Sequence, residues 1–120
     1  MSLAEPKFED LNVKRIVTVW FVIIGALGVS AAQAATSDAD AAKLMAKYNC
    51  QACHTVDQKL VGPAFREVAK KYAGDATAET KLEGKVKNGG TGVWGQVPMP
   101  PNNVPATDLT ALVQWIVSLK

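Results

Sequence analysis

The chain has 120 residues, of which 48% are hydrophobic and 20% are charged, and its formal net charge is +2. This length and composition predict one small globular domain with an apolar core. The 13 lysine and arginine residues form no dense basic stripe, which argues against a nucleic-acid-binding protein. Because the chain has only one histidine and two cysteines, any metal chemistry must be concentrated at very few positions.

The N-terminal segment has the three parts of a secretion signal. The basic pair Lys14-Arg15 precedes an uncharged apolar run at 16–29, and an A-x-A pattern ends at Ala34. We expect a signal peptide over 1–34, cleavage after Ala34, and a mature domain of 86 residues at 35–120 that is exported to the periplasm. An uncleaved anchor is the alternative, but a spanning helix needs about 20 apolar residues, a length reached here only by including polar side chains.

The remainder of the chain has helical periodicity and no clear strand alternation, which predicts an all-α fold of four or so short helices joined by long loops. Ser37 and Thr107 are expected to cap the first and last helices, and Thr77 to start the third. The first helix is expected to follow Ser37 and to include Leu44, Met45 and Tyr48. The next two are expected at 65–72 and at 78–88, the latter stopped by Asn88-Gly89-Gly90. The last is expected at 108–119, with Trp115 beside an apolar stripe of Leu109, Leu112, Val113, Ile116 and Leu119.

The motif Cys50-Gln51-Ala52-Cys53-His54 follows the first of these helices. C-x-x-C-H is the attachment pattern of c-type haem, in which two thiols bind the porphyrin vinyl groups and the histidine binds the iron. A zinc site would need more ligands than the chain has. A redox dithiol would be expected near a βαβ pattern, and a disulfide here would close a very small loop. We therefore predict one covalently bound haem c with its iron, wrapped by the helices and loops.

The second iron ligand decides the function, because iron held by His54 alone is open to gases or peroxide, whereas iron held by His and Met mainly transfers electrons. Met1 would leave with the signal, and Met45 lies on the helix before the motif and is expected in the core. Met99 follows His54 by 45 residues, within Val97-Pro98-Met99-Pro100-Pro101. Prolines restrict this backbone, which suits a weakly binding thioether. The alternative is a packing methionine in a proline-rich loop.

Several motifs spread over about 80 residues carry a resemblance to a known family. They are Cys50-Gln51-Ala52-Cys53-His54, Val61-Gly62-Pro63-Ala64-Phe65, Lys87-Asn88-Gly89, Gly92-Val93-Trp94-Gly95 and Pro98-Met99-Pro100-Pro101-Asn102. In this order and spacing they resemble the short bacterial class I cytochromes c, especially the cytochrome c-551/c-552 group. The resemblance implies the small class I cytochrome c fold and an electron-transfer role without enzymatic activity.

The resemblance also implies further contacts around the haem. The carbonyl of Pro63 would accept the N–H of the His54 imidazole and so orient the ligand. Trp94 would hydrogen-bond a haem propionate, and Asn102 would contact the methionine sulfur. Lys85 stands where some relatives have an arginine near a propionate, and lysine offers a point charge in place of a planar fork. The alternatives are core packing for Trp94 and a turn-capping role for Asn102.

Taken together, the residues and the resemblance predict a monomeric periplasmic carrier of single electrons. Its redox partners would bind transiently through small interfaces, with nitrite reductase, a terminal oxidase, a cytochrome c peroxidase and a quinol-oxidising cytochrome complex as candidates. A haem-based gas sensor with a labile sixth ligand is the main alternative. A peroxidase-type enzyme is less favoured, because there is no second histidine for acid–base chemistry. Four lysines are either a docking rim or simply solvated: Lys59, Lys70, Lys71 and Lys87.

Overall fold

The computed structural model describes residues 33–120, which form four α-helices and one short 3₁₀ turn. The expected signal segment at 1–34 therefore lies almost entirely outside the described residues. In chain order the elements are α1 (Asp38–Lys47), the 3₁₀ turn (Cys50–Ala52), α2 (Phe65–Lys71), α3 (Ala78–Asn88) and α4 (Ala106–Ser118). Residues 33–120 contain no β-strand, and the all-α prediction is confirmed.

Helix α1 begins at the cap that the sequence predicted. The Ser37 hydroxyl accepts a hydrogen bond from the backbone N–H of Asp40 at 3.1 Å, and Asp38 and Asp40 lie in the first turn, where the helix dipole favours negative charge. After the helix, Asn49 adopts a left-handed conformation with φ of 57°, which asparagine tolerates better than most residues. This residue turns the chain directly into the Cys50–Ala52 turn.

Helices α2 and α3 form close to their expected positions. Helix α2 ends at Lys71, one residue before the predicted end. Thr77 precedes α3 as predicted, but its side chain caps no backbone N–H of that helix. The Asp75 carboxylate instead accepts hydrogen bonds from the Thr77 backbone N–H at 2.8 Å and from the Thr77 hydroxyl at 2.7 Å. The aspartate, two residues earlier, is therefore the residue that organises the start of α3.

The Asp75 contacts predict an acid-sensitive contribution to stability. The ammonium of Lys81, which donates at 2.7 Å, and the Thr77 hydroxyl and N–H lower the pKa of Asp75 from 3.8 to about 2. Because the folded-state pKa lies below the unfolded value, the stabilisation is complete above about pH 4 and is lost as the pH falls through about 2. We expect Asp75→Asn to lower the thermal midpoint at pH 7, and the difference from wild type to vanish near pH 2.

Thermal unfolding of both holoproteins between pH 2 and pH 7 measures this. Glu67→Gln, which changes an exposed carboxylate on α2, is the matched control and should leave the pH profile unchanged. A difference between Asp75→Asn and wild type that stays constant down to pH 2 would refute the assignment.

Helix α4 begins two residues earlier than the sequence predicted. Thr107 does not cap it, because the helix already starts at Ala106 and Pro105 occupies the cap position with φ of −55° and ψ of 144°. Proline has a fixed φ and no N–H. The start of the helix therefore has one fewer N–H group without a hydrogen-bond partner. The carbonyl of Pro105 accepts the first helical hydrogen bond from the N–H of Leu109 at 2.9 Å.

Helix α4 is the centre of the packing, since it contacts α1, α2 and α3. Four of the five predicted stripe residues are buried, and Leu119 is partly buried. Trp115, which the sequence placed beside the stripe, is itself only 5% exposed, and its indole N–H donates to Asp38 at 2.7 Å. The buried core consists of Ala41, Met45, Phe65, Val68, Leu82, Val104, Leu109, Leu112, Val113, Trp115 and Ile116, so the expected core position of Met45 is confirmed.

Polar contacts join the end of α1 to the start of α4. The hydroxyl of Tyr48 donates to the Asp108 carboxylate at 2.5 Å, and the ammonium of Lys47 donates to the same oxygen at 2.9 Å. The two donors, first Tyr48 and then Lys47, lower the pKa of the Asp108 carboxyl. These contacts define where the chain leaves α1 and enters the Cys50–Ala52 turn.

None of the helices within residues 33–120 combines the length and the apolar character needed to cross a lipid bilayer.

Candidate functional site

The two cysteines and the histidine of the C-x-x-C-H motif lie on one tight turn. The carbonyl of Cys50 accepts hydrogen bonds from the backbone N–H groups of Cys53 at 3.2 Å and His54 at 3.0 Å. Both thiols are free and partly buried. Burial raises the pKa of the Cys50 thiol. The turn therefore presents two thiols and an imidazole over five residues.

The His54 imidazole is oriented by a backbone carbonyl. Its Nδ1 lies 2.8 Å from the carbonyl oxygen of Pro63, the contact that the family resemblance implied. Because a carbonyl can only accept, Nδ1 carries the hydrogen and Nε2 keeps its lone pair for a metal. The loop between them is closed by the Gly62 N–H, which donates to the Cys53 carbonyl at 2.7 Å. An open cavity of about 240 Å³ lies beside the ring.

Two further residues hold the plane of the His54 ring, and the sequence reasoning did not single them out for this role. The Phe65 ring stacks on the imidazole with centroids 5.1 Å apart and an interplanar angle of 16°, and its other contact is edge-on to Trp115 at 6.0 Å. The backbone of Gly62 lies so close to the ring that a Cβ there would be 2.9 Å from both ring nitrogens. Both residues belong to the motif Val61-Gly62-Pro63-Ala64-Phe65, which is the sequence feature that could have pointed to this role.

Adding one methyl group at Gly62 should therefore displace the imidazole. The ring cannot retreat freely, because it is hydrogen-bonded to Pro63 and stacked on Phe65. Overpacking of this kind costs about 1–3 kcal/mol, so Gly62→Ala should lower the thermal midpoint of the holoprotein by at least about 4 °C.

Gly84→Ala is the matched control for this prediction. A Cβ at Gly84, inside α3, would meet nothing within 4 Å, and alanine is a better helix former than glycine, so this variant should be slightly stabilised. Thermal unfolding of both holoproteins measures the effect. A Gly62→Ala variant as stable as Gly84→Ala would show that the ring does not need the glycine.

Met99 is held by backbone hydrogen bonds to the end of α3. The N–H and carbonyl of Met99 bond to the carbonyl and N–H of Gly90, both at 2.9 Å. Gly89, which ends α3 with φ of 66°, has no room for a side chain, because a Cβ would collide with the Met99 carbonyl and lie 2.9 Å from the carbonyl carbon of Pro100. The Asn102 N–H donates to the Val86 carbonyl at 2.9 Å, which anchors the segment a second time.

The other expected site residues lie on either side of this segment. The Asn102 amide donates to the Pro100 carbonyl at 2.7 Å, a contact of the turn-capping kind. The Lys85 ammonium lies against Gly90. Trp94 is 39% exposed, and the ammonium of Lys71 lies 5.4 Å from its ring centroid. Among residues 33–120, no hydrogen bond joins this group to the C-x-x-C-H turn.

The residues present fit a porphyrin better than a small metal site. Within the described part of the chain, no three His, Cys, Asp or Glu side chains converge on a point where they could hold a metal ion. Large apolar side chains are instead exposed on the loop after the C-x-x-C-H turn and on the loop before Met99: Leu60, Val61, Val93, Trp94 and Val97. A porphyrin bound against these loops would remove such side chains from water, which is favourable. The fold and the site thus define an all-α domain whose C-x-x-C-H turn has the pattern of a haem-attachment site.

Comparison with known proteins gives the family. Residues 39–120 match the cytochrome c family, and the chain belongs to it. The chain is 50% identical over 104 residues to cytochrome c-552 of Nitrosomonas europaea, covering 86% of this chain and 98% of that protein. It is 45% identical over 95 residues to cytochrome c-551 of Pseudomonas aeruginosa, covering 79% of this chain and 90% of that protein.

Solved structures agree with this assignment. The crystal structure of wild-type Nitrosomonas europaea cytochrome c552 superposes with a TM-score of 0.63 at 55% identity, covering 66% of this chain and 99% of that chain. The class 1 cytochrome MtoD of Sideroxydans lithotrophicus superposes with a TM-score of 0.58 at 38% identity, covering 68% of this chain and 96% of that chain. The protein therefore has the class I cytochrome c fold, binds one covalent haem c with its iron, and belongs to a family of electron carriers.

Proposed function

We propose that this cytochrome c is a periplasmic one-electron carrier whose haem iron is held by His54 and Met99. The observation that carries the proposal is the double hydrogen bond between Met99 and Gly90, since it holds a methionine between prolines in a fixed backbone geometry. When bound, the haem supplies the exchange of single electrons between Fe(III) and Fe(II). A sixth position closed by methionine favours electron transfer over ligand binding.

The two ligands are held in ways that suit their binding strengths. The Pro63 carbonyl fixes the His54 tautomer at 2.8 Å and increases the basicity of the imidazole. The thioether of Met99 is a weaker ligand, and it depends on the prolines and on the Gly90 bridge to stay in place. Cys50 and Cys53 carry the covalent attachment. Because the backbone around both ligands is constrained, little has to move when the electron enters or leaves.

Three further residues are proposed to contact the haem periphery or the methionine ligand. Trp94 and Lys85 would contact the propionates, and their positions on either side of Gly90 in the chain support a shared site. Asn102 would limit the orientation of the methionine sulfur by donating the second N–H of its side-chain amide, because the first donates to the Pro100 carbonyl. Removing each in turn and measuring the reduction potential separates these roles.

The proposal of an exported, processed protein rests on two alignments. The match to the Nitrosomonas europaea cytochrome c-552 spans 104 residues, more than the 86 residues of 35–120, so it extends into the N-terminal segment. The crystallised wild-type chain from that organism is shorter. About 66% of this chain is enough to cover 99% of that crystallised chain. Both observations support a signal over 1–34 that is removed after Ala34, which the mass of the mature holoprotein tests.

The proposed partners are other redox proteins that bind transiently to a monomer. Electron-transfer encounters use small interfaces, and the exposed lysines at 59, 70, 71 and 87 would assist docking to an acidic surface. Nitrite reductase, a terminal oxidase and a cytochrome c peroxidase are candidate acceptors, and a quinol-oxidising cytochrome complex is a candidate donor. Stopped-flow oxidation of the reduced protein by each candidate acceptor measures this directly.

The decisive experiment is an absorption spectrum of holoprotein matured in a periplasm, oxidised and reduced, with and without carbon monoxide. A low-spin spectrum with the methionine–iron charge-transfer band, unchanged by carbon monoxide, is the result expected for a closed His/Met carrier. Ready binding of carbon monoxide to the reduced protein would overturn the proposal in favour of a haem-based gas sensor.

A further inference from the structure

The segment at 91–98, called the ligand loop from here on, lies between α3 and Met99. The Gly90–Met99 bridge closes its base. The backbone hydrogen bond within the loop runs from the Gly92 N–H to the Gly95 carbonyl at 2.9 Å. Gly92 and Gly95 have φ of 97° and 127°, and a Cβ at either would meet nothing within 4 Å. The loop is thus poorly supported by its own backbone, although it leads directly into the proposed ligand.

One side-chain contact joins the middle of the ligand loop to a helix. The Lys71 ammonium, at the last residue of α2, lies 5.4 Å from the centroid of the Trp94 ring. That distance is within the range of a cation–π attraction. The neighbouring Lys70 is also exposed on α2, but no ring contact is recorded for it. Among the described residues, Lys71 is therefore the cation on α2 that holds the Trp94 side of the loop.

We infer that Lys71 is a positioning residue for the Met99 ligand, acting through Trp94 and the ligand loop. This inference rests on the proposed His54/Met99 coordination and goes beyond it. Because Met99 directly follows the ligand loop in the chain, displacement of the loop pulls on Met99 and strains the Gly90–Met99 bridge. Fastening the middle of the loop to α2 through Trp94 reduces the fraction of molecules in which the thioether is away from the iron.

Imidazole binding to the oxidised holoprotein measures that fraction. The added imidazole nitrogen replaces the Met99 sulfur on the iron with no change in electron count, and its apparent affinity scales with the open population. A cation–π contact at an exposed site corresponds to about a two- to fivefold change in an equilibrium. We expect Lys71→Ala to raise the apparent imidazole affinity about two- to fivefold, and Lys71→Arg to restore the wild-type value, because arginine also binds ring faces.

Two comparisons separate positioning from a general loss of charge. Lys70→Ala removes the same charge from the adjacent position and should leave imidazole affinity unchanged. In a double-mutant cycle, Lys71→Ala should have no further effect once Trp94→Leu has removed the ring. An equal increase for Lys70→Ala and Lys71→Ala, or an undiminished Lys71→Ala effect in the Trp94→Leu background, would overturn the inference.

The wild-type measurement distinguishes failure of the inference from failure of the proposed coordination. If the wild-type spectrum lacks the methionine–iron band, the His54/Met99 proposal is wrong and the inference falls with it. If the wild type has the band but Lys71→Ala binds imidazole as weakly as wild type does, the coordination stands and only the role of Lys71 is refuted.

Discussion

Met99→Ala is expected to open the sixth coordination position that we propose Met99 to fill, and to convert the protein into a ligand-binding haem protein. With His54 as the remaining protein ligand, the reduced variant should bind carbon monoxide, which the wild type should not. Loss of the thioether removes a ligand that favours Fe(II), so the potential should fall by on the order of 0.1–0.3 V, within the roughly 0.8 V range that axial ligands span. Absorption spectroscopy and protein-film voltammetry measure both effects.

Met45→Leu is the matched control, because it changes the other methionine among residues 33–120. Met45 is 5% exposed and belongs to the core, and Met-to-Leu exchanges in cores usually cost less than about 1.5 kcal/mol. This variant should keep the wild-type spectrum and potential. If Met99→Ala also kept the wild-type spectrum and potential, Met99 would not be the iron ligand. The prolines on either side of it would then have only a packing role.

Removing the haem is expected to leave the domain largely unfolded. A domain as small as residues 33–120 buries a limited fraction of its surface, and a group that binds only the folded state stabilises it through that binding. Apolar side chains are exposed on the loop after the C-x-x-C-H turn and on the loop before Met99, such as Val61 and Val97. A bound porphyrin would bury part of their surface. A Cys50→Ala/Cys53→Ala variant, checked for absence of haem absorption, should show no cooperative thermal transition near or above room temperature.

The holoprotein, with the same measurement of helical circular dichroism against temperature, is the reference. It should unfold cooperatively at a much higher temperature. A cooperative transition in the haem-free variant at a midpoint close to that of the holoprotein would mean that the four helices are stable through the α4 core alone. In that case the haem would serve redox chemistry without contributing much to folding.

The site combines rigid and weakly supported parts in a way that matches their roles. The His54 side has a carbonyl acceptor, a stacked ring and a close glycine backbone, so the imidazole has few alternatives. The Met99 side has a two-hydrogen-bond bridge but is continuous with a glycine-rich loop. We therefore expect ligand loss, whether induced by heat or by added imidazole, to begin on the methionine side.

Much of the fold and of the candidate site can be predicted from local sequence, because the residues proposed for the chemistry lie in short motifs. The spacing of Cys50, Cys53 and His54 predicts covalent haem, and the prolines around Met99 predict a restrained ligand. Three of the helix positions follow from apolar periodicity and from the Ser37 cap. The predicted start of α4 was wrong by two residues. Pro105 occupies the N-cap position that the sequence analysis assigned to Thr107.

Contacts between distant segments could be decided only by the tertiary structure. The pairing of Trp115 with Asp38 joins residues 77 positions apart, and no local pattern encodes such a partner. The same is true of Phe65 stacking on His54, of the Gly90–Met99 bridge and of Lys71 over Trp94. Local propensity and motif spacing were enough to predict which residues do the chemistry. The packing of four helices and two loops determined how firmly each of them is held, since that depends on neighbours that only folding brings together.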